Sequence, residues 1–118
     1  MASDFGPALA RAKARLDTLD YYPEPVRVDR VRMLVAPWFF RLPGFRRYHG
    51  YAFWRTILLK SGDTPDDLVT HELCHIWQGQ HRPLHVSFKN ATTRYVSNPY
   101  ELQARQAVEA TRGQTPRV

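Results

Sequence analysis

The sequence predicts one domain of the α+β class. Three stretches read as helices and two as strands, in the order helix, strand, strand, helix, loop, helix. At 118 residues the chain has room for one core and one site, so residues 1–118 are read as a single domain. Apolar residues make up 43% of it, enough for a core without disulfides, and Cys74 is the only cysteine.

Leu9, Ala12, Leu16 and Leu19 follow helical spacing, so residues 8–19 form an amphipathic first helix that Tyr22-Pro23-Glu24-Pro25 must end. Val26, Val28, Val31, Met33 and Val35 predict a strand over 26–36, bulged near Asp29-Arg30 and stopped by Pro37. Pro43-Gly44 and His49-Gly50 are turn signals, which makes Trp38 to Gly50 a long loop or loose hairpin connection. Residues 51–60, rich in aromatic and branched side chains, predict the second strand, closed by Ser61-Gly62-Asp63. Thr64-Pro65-Asp66-Asp67 reads as a hydroxyl cap, a proline at the first helical position and two acids on the helix dipole, opening a helix over 65–79. Asn98-Pro99-Tyr100-Glu101 repeats that logic for a last helix over 99–112.

The net charge is +6, and arginines at 41, 46, 47 and 55 interleave with Trp38, Phe39, Phe40, Phe45, Tyr48, Tyr51 and Trp54. Such a mixture suits nucleic acid or an anionic membrane surface, although a solvated basic face is the plainer reading. The start of the chain lacks the apolar run of a secretory signal, and no window is apolar enough for a membrane span. Together with the lone cysteine this leads to an expectation of a cytoplasmic protein.

His71-Glu72-Leu73-Cys74-His75 carries the chemistry, because it matches H-E-x-x-H and falls inside a helix predicted independently from its capping signals. Four residues apart on a helix, His71 and His75 share one face and can both reach one zinc ion, the expected cofactor at one per chain. Glu72 lies about 100° further round, beside the open position of such a site, where its carboxylate can take a proton from water as general base. Cys74 points away from that face and is read as a small core residue. A catalytic zinc needs a third protein ligand, for which the chain offers Glu101, His81 and His85. Glu101 also has a plain structural role open to it, as the third helical residue closing a capping box on Asn98.

Together these two motifs resemble the gluzincins, and in particular the minimal metallopeptidase domains called minigluzincins. In those, H-E-x-x-H on one helix is joined by a glutamate on the next, often within N-P-[FY]-E-x-x-A. Asn98-Pro99-Tyr100-Glu101-Leu102-Gln103-Ala104 is similar at each defining position. The resemblance covers residues 51–112. It implies a zincin-like fold, a small twisted sheet packed on the active-site helix, with Glu101 as third ligand and residues 51–60 as the edge strand that pairs with an extended peptide or protein substrate. Many larger members carry an acidic residue four positions after the glutamate to orient the first histidine; here Arg105 stands there, which leaves the partner of His71 unassigned. Tyr95, Tyr100, His81 and His85 are the residues available to stabilise a transition state.

His71, His75 and His81 also reproduce the 1, 5, 11 spacing of the metzincins, which makes His81 the alternative ligand. Its glycine is displaced by one, to Gly79, and the only methionines are Met1 and Met33, too early for a methionine turn. The expected activity is therefore that of a small zinc metallopeptidase. The alternatives are a DNA-associated protease resembling the SprT-like group, for which no nucleic-acid module is evident, and a zinc-stabilised interaction domain without turnover, in which Glu72 would have no task.

Overall fold

The computed structural model describes residues 6–46, 48–53, 55–81 and 98–112, which form three helices and a three-stranded mixed sheet. In chain order the elements are α1 (Gly6–Leu16), β1 (Arg32–Val35), a 3-10 turn (Phe39–Arg41), β2 (Gly50–Phe53), β3 (Thr56–Leu59), α2 (Asp66–His81) and α3 (Pro99–Thr111). The strand order is β1-β3-β2, with β1 parallel and β2 antiparallel to β3.

Two strand expectations need correction. Residues 51–60 are not one strand but two, β2 and β3, which pair antiparallel as a hairpin with Phe53 opposite Thr56. Residues 51–60 contain no glycine, proline or asparagine and favour extended structure throughout, so composition alone hides the break between the two strands. Of the strand expected over 26–36, only residues 32–35 join the sheet. Val26 is buried in the core, but this segment finds side-chain partners for its backbone: the Gln80 amide accepts from Arg27 N at 3.0 Å and donates to Arg27 O at 2.8 Å. Because β3 inserts between β1 and β2, the connection 36–49 is no hairpin either. It folds back over the sheet through the 3-10 turn and a bend at Pro43-Gly44, where Gly44 has φ 92° and Phe45 N donates to Leu42 O at 3.1 Å.

The helices shift more modestly. α1 stops at Leu16, and a turn in which the Thr18 hydroxyl donates to Arg15 O at 2.7 Å brings Leu19 to the core from outside the helix. α2 opens one residue later than expected: the Thr64 hydroxyl donates to Ser61 O, and Val69 N donates to Pro65 O. It also runs past Gly79 and ends at His81. Glycine disfavours a helix by only about 1 kcal/mol, less than the packing of Trp77 and the Gln80 contacts on either side.

α2 is the centre of the core. Val69, Leu73, Cys74, Ile76 and Trp77 meet Ala12 and Leu16 of α1, Met33, Ile57 and Leu59 from the inner face of the sheet, and Ala104 and Ala107 of α3. Asp67 near the start of α2 bonds Arg112 just past α3, and Gln78 near its end bonds Tyr100 at the start of α3, so these two helices run antiparallel. Arg15, 1% exposed, locks all three helices: it donates to Asp67 at 2.9 Å, to Thr111 Oγ1 at 3.0 Å and to Val108 O at 3.2 Å.

Burial works to raise the Asp67 carboxyl, but Arg15 and Arg112 outweigh it and hold it below its ordinary value of 3.8. Its contribution to stability is thus complete above that value and fades as pH falls through the lower folded one. Arg15→Ala should cost about 2–4 kcal/mol, through lost packing and unsatisfied partners. Asp67→Asn should cost about 1 kcal/mol or less, because Asp67 is 41% exposed and screened by water. Urea unfolding at neutral pH measures both, and repeating it near pH 3 should show the Asp67→Asn difference shrinking.

Candidate metal centre

The helical spacing of α2 puts the rings of His71 and His75 4.9 Å apart at 76°. Across from them, Asn98 caps α3 by accepting from Tyr100 N at 2.8 Å, and Pro99 fills the first helical position. This fixes Glu101 one turn into the helix. Its carboxylate does not turn back to close a capping box. It crosses to α2, with Oε2 2.7 Å from His71 Nε2 and Oε1 3.0 Å from His75 Nε2. One donor atom from each of the three residues lies within 4.8 Å of the others, a group compatible with one metal ion.

The donors converge without fully satisfying one another. Oε1 and His75 are hydrogen-bonded, whereas the buried Oε2 has no aligned donor despite its short approach to His71. An orphaned anionic oxygen among imidazole nitrogens fits a shared cation. Burial works to raise the Glu101 carboxyl, but the two imidazoles hold it well below the usual carboxylate range. Burial likewise works to lower His75, and its bond to Glu101 and the nearby Glu72 charge raise it instead.

A residue not singled out from the sequence completes this geometry. The fully buried Gln78, one turn beyond His75 on the same helix face, offers Oε1 to His75 Nδ1 at 2.9 Å. Its amide nitrogen is held in turn by Tyr100 O at 2.8 Å and Gln103 Oε1 at 2.9 Å. A proton on Nδ1 directed at Gln78 leaves the Nε2 lone pair for a metal. The i, i+3 spacing from His75 is the signal that could have identified it.

Glu72 is buried beside the group, and burial pushes its carboxyl up although both histidines pull it down. Gly50 at the start of β2 packs against it: a Cβ there would lie 3.3 Å from Glu72 Cγ and 3.5 Å from Oε2. Absence of a side chain at position 50 lets the strand backbone approach this carboxylate. A cleft of about 360 Å³ reaches the group on its His71 and Glu72 side, between His49 and Gly50 on one wall and Arg105 and Val108 on the other.

The remaining residues of interest lie elsewhere. His81 stacks on Tyr22 at 4.9 Å and contacts Glu24 O at 3.2 Å, so it is not brought to His71 and His75. Tyr100 is buried, and its carbonyl is tied to the site through Gln78. Cys74 is buried in the core, which pushes its thiol up to about 12. Tyr95 and His85 lie outside the described residues. Comparison with protein-family models, curated proteins and solved structures returns no match.

Two outcomes test the centre. Glu101→Gln keeps a capping-competent side chain but removes the anionic oxygen, so it should weaken divalent-metal binding by orders of magnitude, while His81→Ala should retain it; titration against a competing chelator distinguishes them. Gln78→Leu, which leaves His75 Nδ1 without its acceptor, should weaken metal binding by about 10–100-fold in the same titration.

Proposed function

We propose that this chain is a small zinc-dependent metallopeptidase in which His71, His75 and Glu101 hold the metal and Glu72 is the general base. The observation that carries the reading is the convergence of the three donors from two helices, with a second, buried carboxylate, that of Glu72, beside them in a cleft. Two nitrogens and one carboxylate oxygen are a donor set typical of catalytic zinc, and the resemblance of both motifs to those of gluzincins supports the same reading. Zinc in such a site supplies Lewis acidity, lowering the pKa of water to about 7 and polarising a carbonyl.

The chain's own residues supply the rest. Lys60 N donates to His49 O at 3.0 Å, which makes His49 and Lys60 a bonded pair of the β2–β3 ladder. By antiparallel alternation, Gly50 and Ala52 then direct their N–H and C=O groups away from β3, to the edge that carries no further strand among the described residues. An extended peptide added there pairs with the β2 backbone and brings a scissile carbonyl past Gly50 to Glu72. Glu72 accepts a proton from the attacking water and passes it to the leaving amine as the C–N bond breaks.

A zinc-stabilised interaction domain is the competing reading, and Glu72→Gln separates the two. The variant should retain about one zinc per chain and its fold while losing about 10²–10⁴-fold in turnover of a diverse peptide library read by mass spectrometry. Wild-type protein that stays metal-free in micromolar zinc, or a Glu72→Gln variant as active as wild type, would overturn the assignment.

A further inference from the structure

The chain's entire excess of positive charge lies in one stretch. Residues 31–60 hold six of the seventeen Lys and Arg residues and no Asp or Glu, while the remainder holds eleven of each sign and is neutral. Five of those six are described, Arg32, Arg41, Arg46, Arg55 and Lys60, and all five are exposed. The ion pairs among the described residues involve none of them; these lie instead on the helices and the segment before β1, as in Arg11–Asp66 and Arg15–Asp67.

The same stretch exposes large apolar side chains. Phe40 seals the outer face of the sheet with Ala36 and Leu58. The turn that carries it bonds Arg41 N to Trp38 O and Leu42 N to Phe39 O, a three-residue repeat in which positions i and i+3 eclipse. With Phe40 turned to the sheet, Trp38 with Arg41 and Phe39 with Leu42 occupy the other two sides. Trp38 is 62% exposed and Leu42 42% exposed, and Arg41 stands beside them. Pro43 and Gly44, also exposed, extend the tip, and the Arg46 guanidinium folds back on Arg41 O at 3.4 Å.

We infer that the tip 38–46 docks on an anionic lipid surface, with Trp38 and Leu42 entering the interface and Arg41 and Arg46 meeting phosphate headgroups. A solvent-exposed tryptophan beside an aliphatic side chain and unpaired arginines is suited to the boundary between water and acyl chains. Nucleic acid would use the arginines and could stack on Trp38, but it gives Leu42 no role. The connection that carries the tip continues into His49 and Gly50, so docking would set one wall of the cleft at the rim of the membrane-facing surface.

Sedimentation of the zinc-loaded chain with vesicles tests this independently of any peptidase activity. Binding should be seen with vesicles of phosphatidylcholine plus about 30% phosphatidylserine, be weak with phosphatidylcholine alone, and fall as salt approaches about 1 M. Arg41→Ser and Arg46→Ser should each weaken it about fivefold. Trp38→Ala combined with Leu42→Ser should weaken it at least about tenfold. Lys13→Ser, which removes the same charge from α1, should leave it unchanged. Thermal unfolding midpoints matching wild type would show that the exposed substitutions leave the fold intact. Absence of binding to phosphatidylserine vesicles, or binding insensitive to the Trp38 and Leu42 changes, would overturn the inference. So would tighter retention on a single-stranded or duplex oligonucleotide that depends on the arginines but not on Leu42, which would identify the face as a nucleic-acid surface.

Discussion

A carboxylate carried by α3 is buried against two imidazoles carried by α2, and the placement of both helices is answerable to that contact. An ionised group removed from water is costly unless positive charge or hydrogen bonds meet it, so Glu101 is tolerable only while His71 and His75 stay within reach. The helix pair is accordingly clamped at both ends. Gln78 ties the end of α2 to Tyr100 and Gln103, and at the opposite end Asp67 receives Arg15 and Arg112. Gln78 also fixes the ring of His75, so the same side chain serves the architecture and the geometry of the candidate centre.

The sheet divides its two faces between different tasks. Met33, Ile57 and Leu59 turn inward and build the core around α2, while Leu58 turns outward and is covered by Phe40 and Ala36. That cover is the connection forced to be long because β3 inserts between β1 and β2. Its inner side chains seal the sheet and its outer ones are left to solvent. It then delivers Gly50 against Glu72, where a side chain would have held the edge strand away from the carboxylate.

Much of the candidate site was legible in the chain because its parts are local. The two histidines need only helical spacing to share a face, and Asn98-Pro99 needs only capping chemistry to start a helix at Glu101. The α+β class followed similarly from periodicity and breakers. Local signals failed where two energies were close: residues 51–60 hold no turn-forming residue although they form two paired strands, and the segment after Pro25 has strand composition but is satisfied by the Gln80 amide.

What the sequence determined by itself was therefore which residues could act, since spacing along one helix and the chemistry of a cap are set within a few residues. Whether Glu101 serves its own helix or the neighbouring one was decided by tertiary structure alone. The capping box and the histidines compete for the same carboxylate, and the antiparallel packing of α2 on α3 places His71 and His75 within 3.0 Å of it. His81, equally well spaced in the chain, is instead stacked on Tyr22, because α2 stays helical past Gly79 and six helical residues carry His81 about 9 Å along the axis from His75 and round to another face.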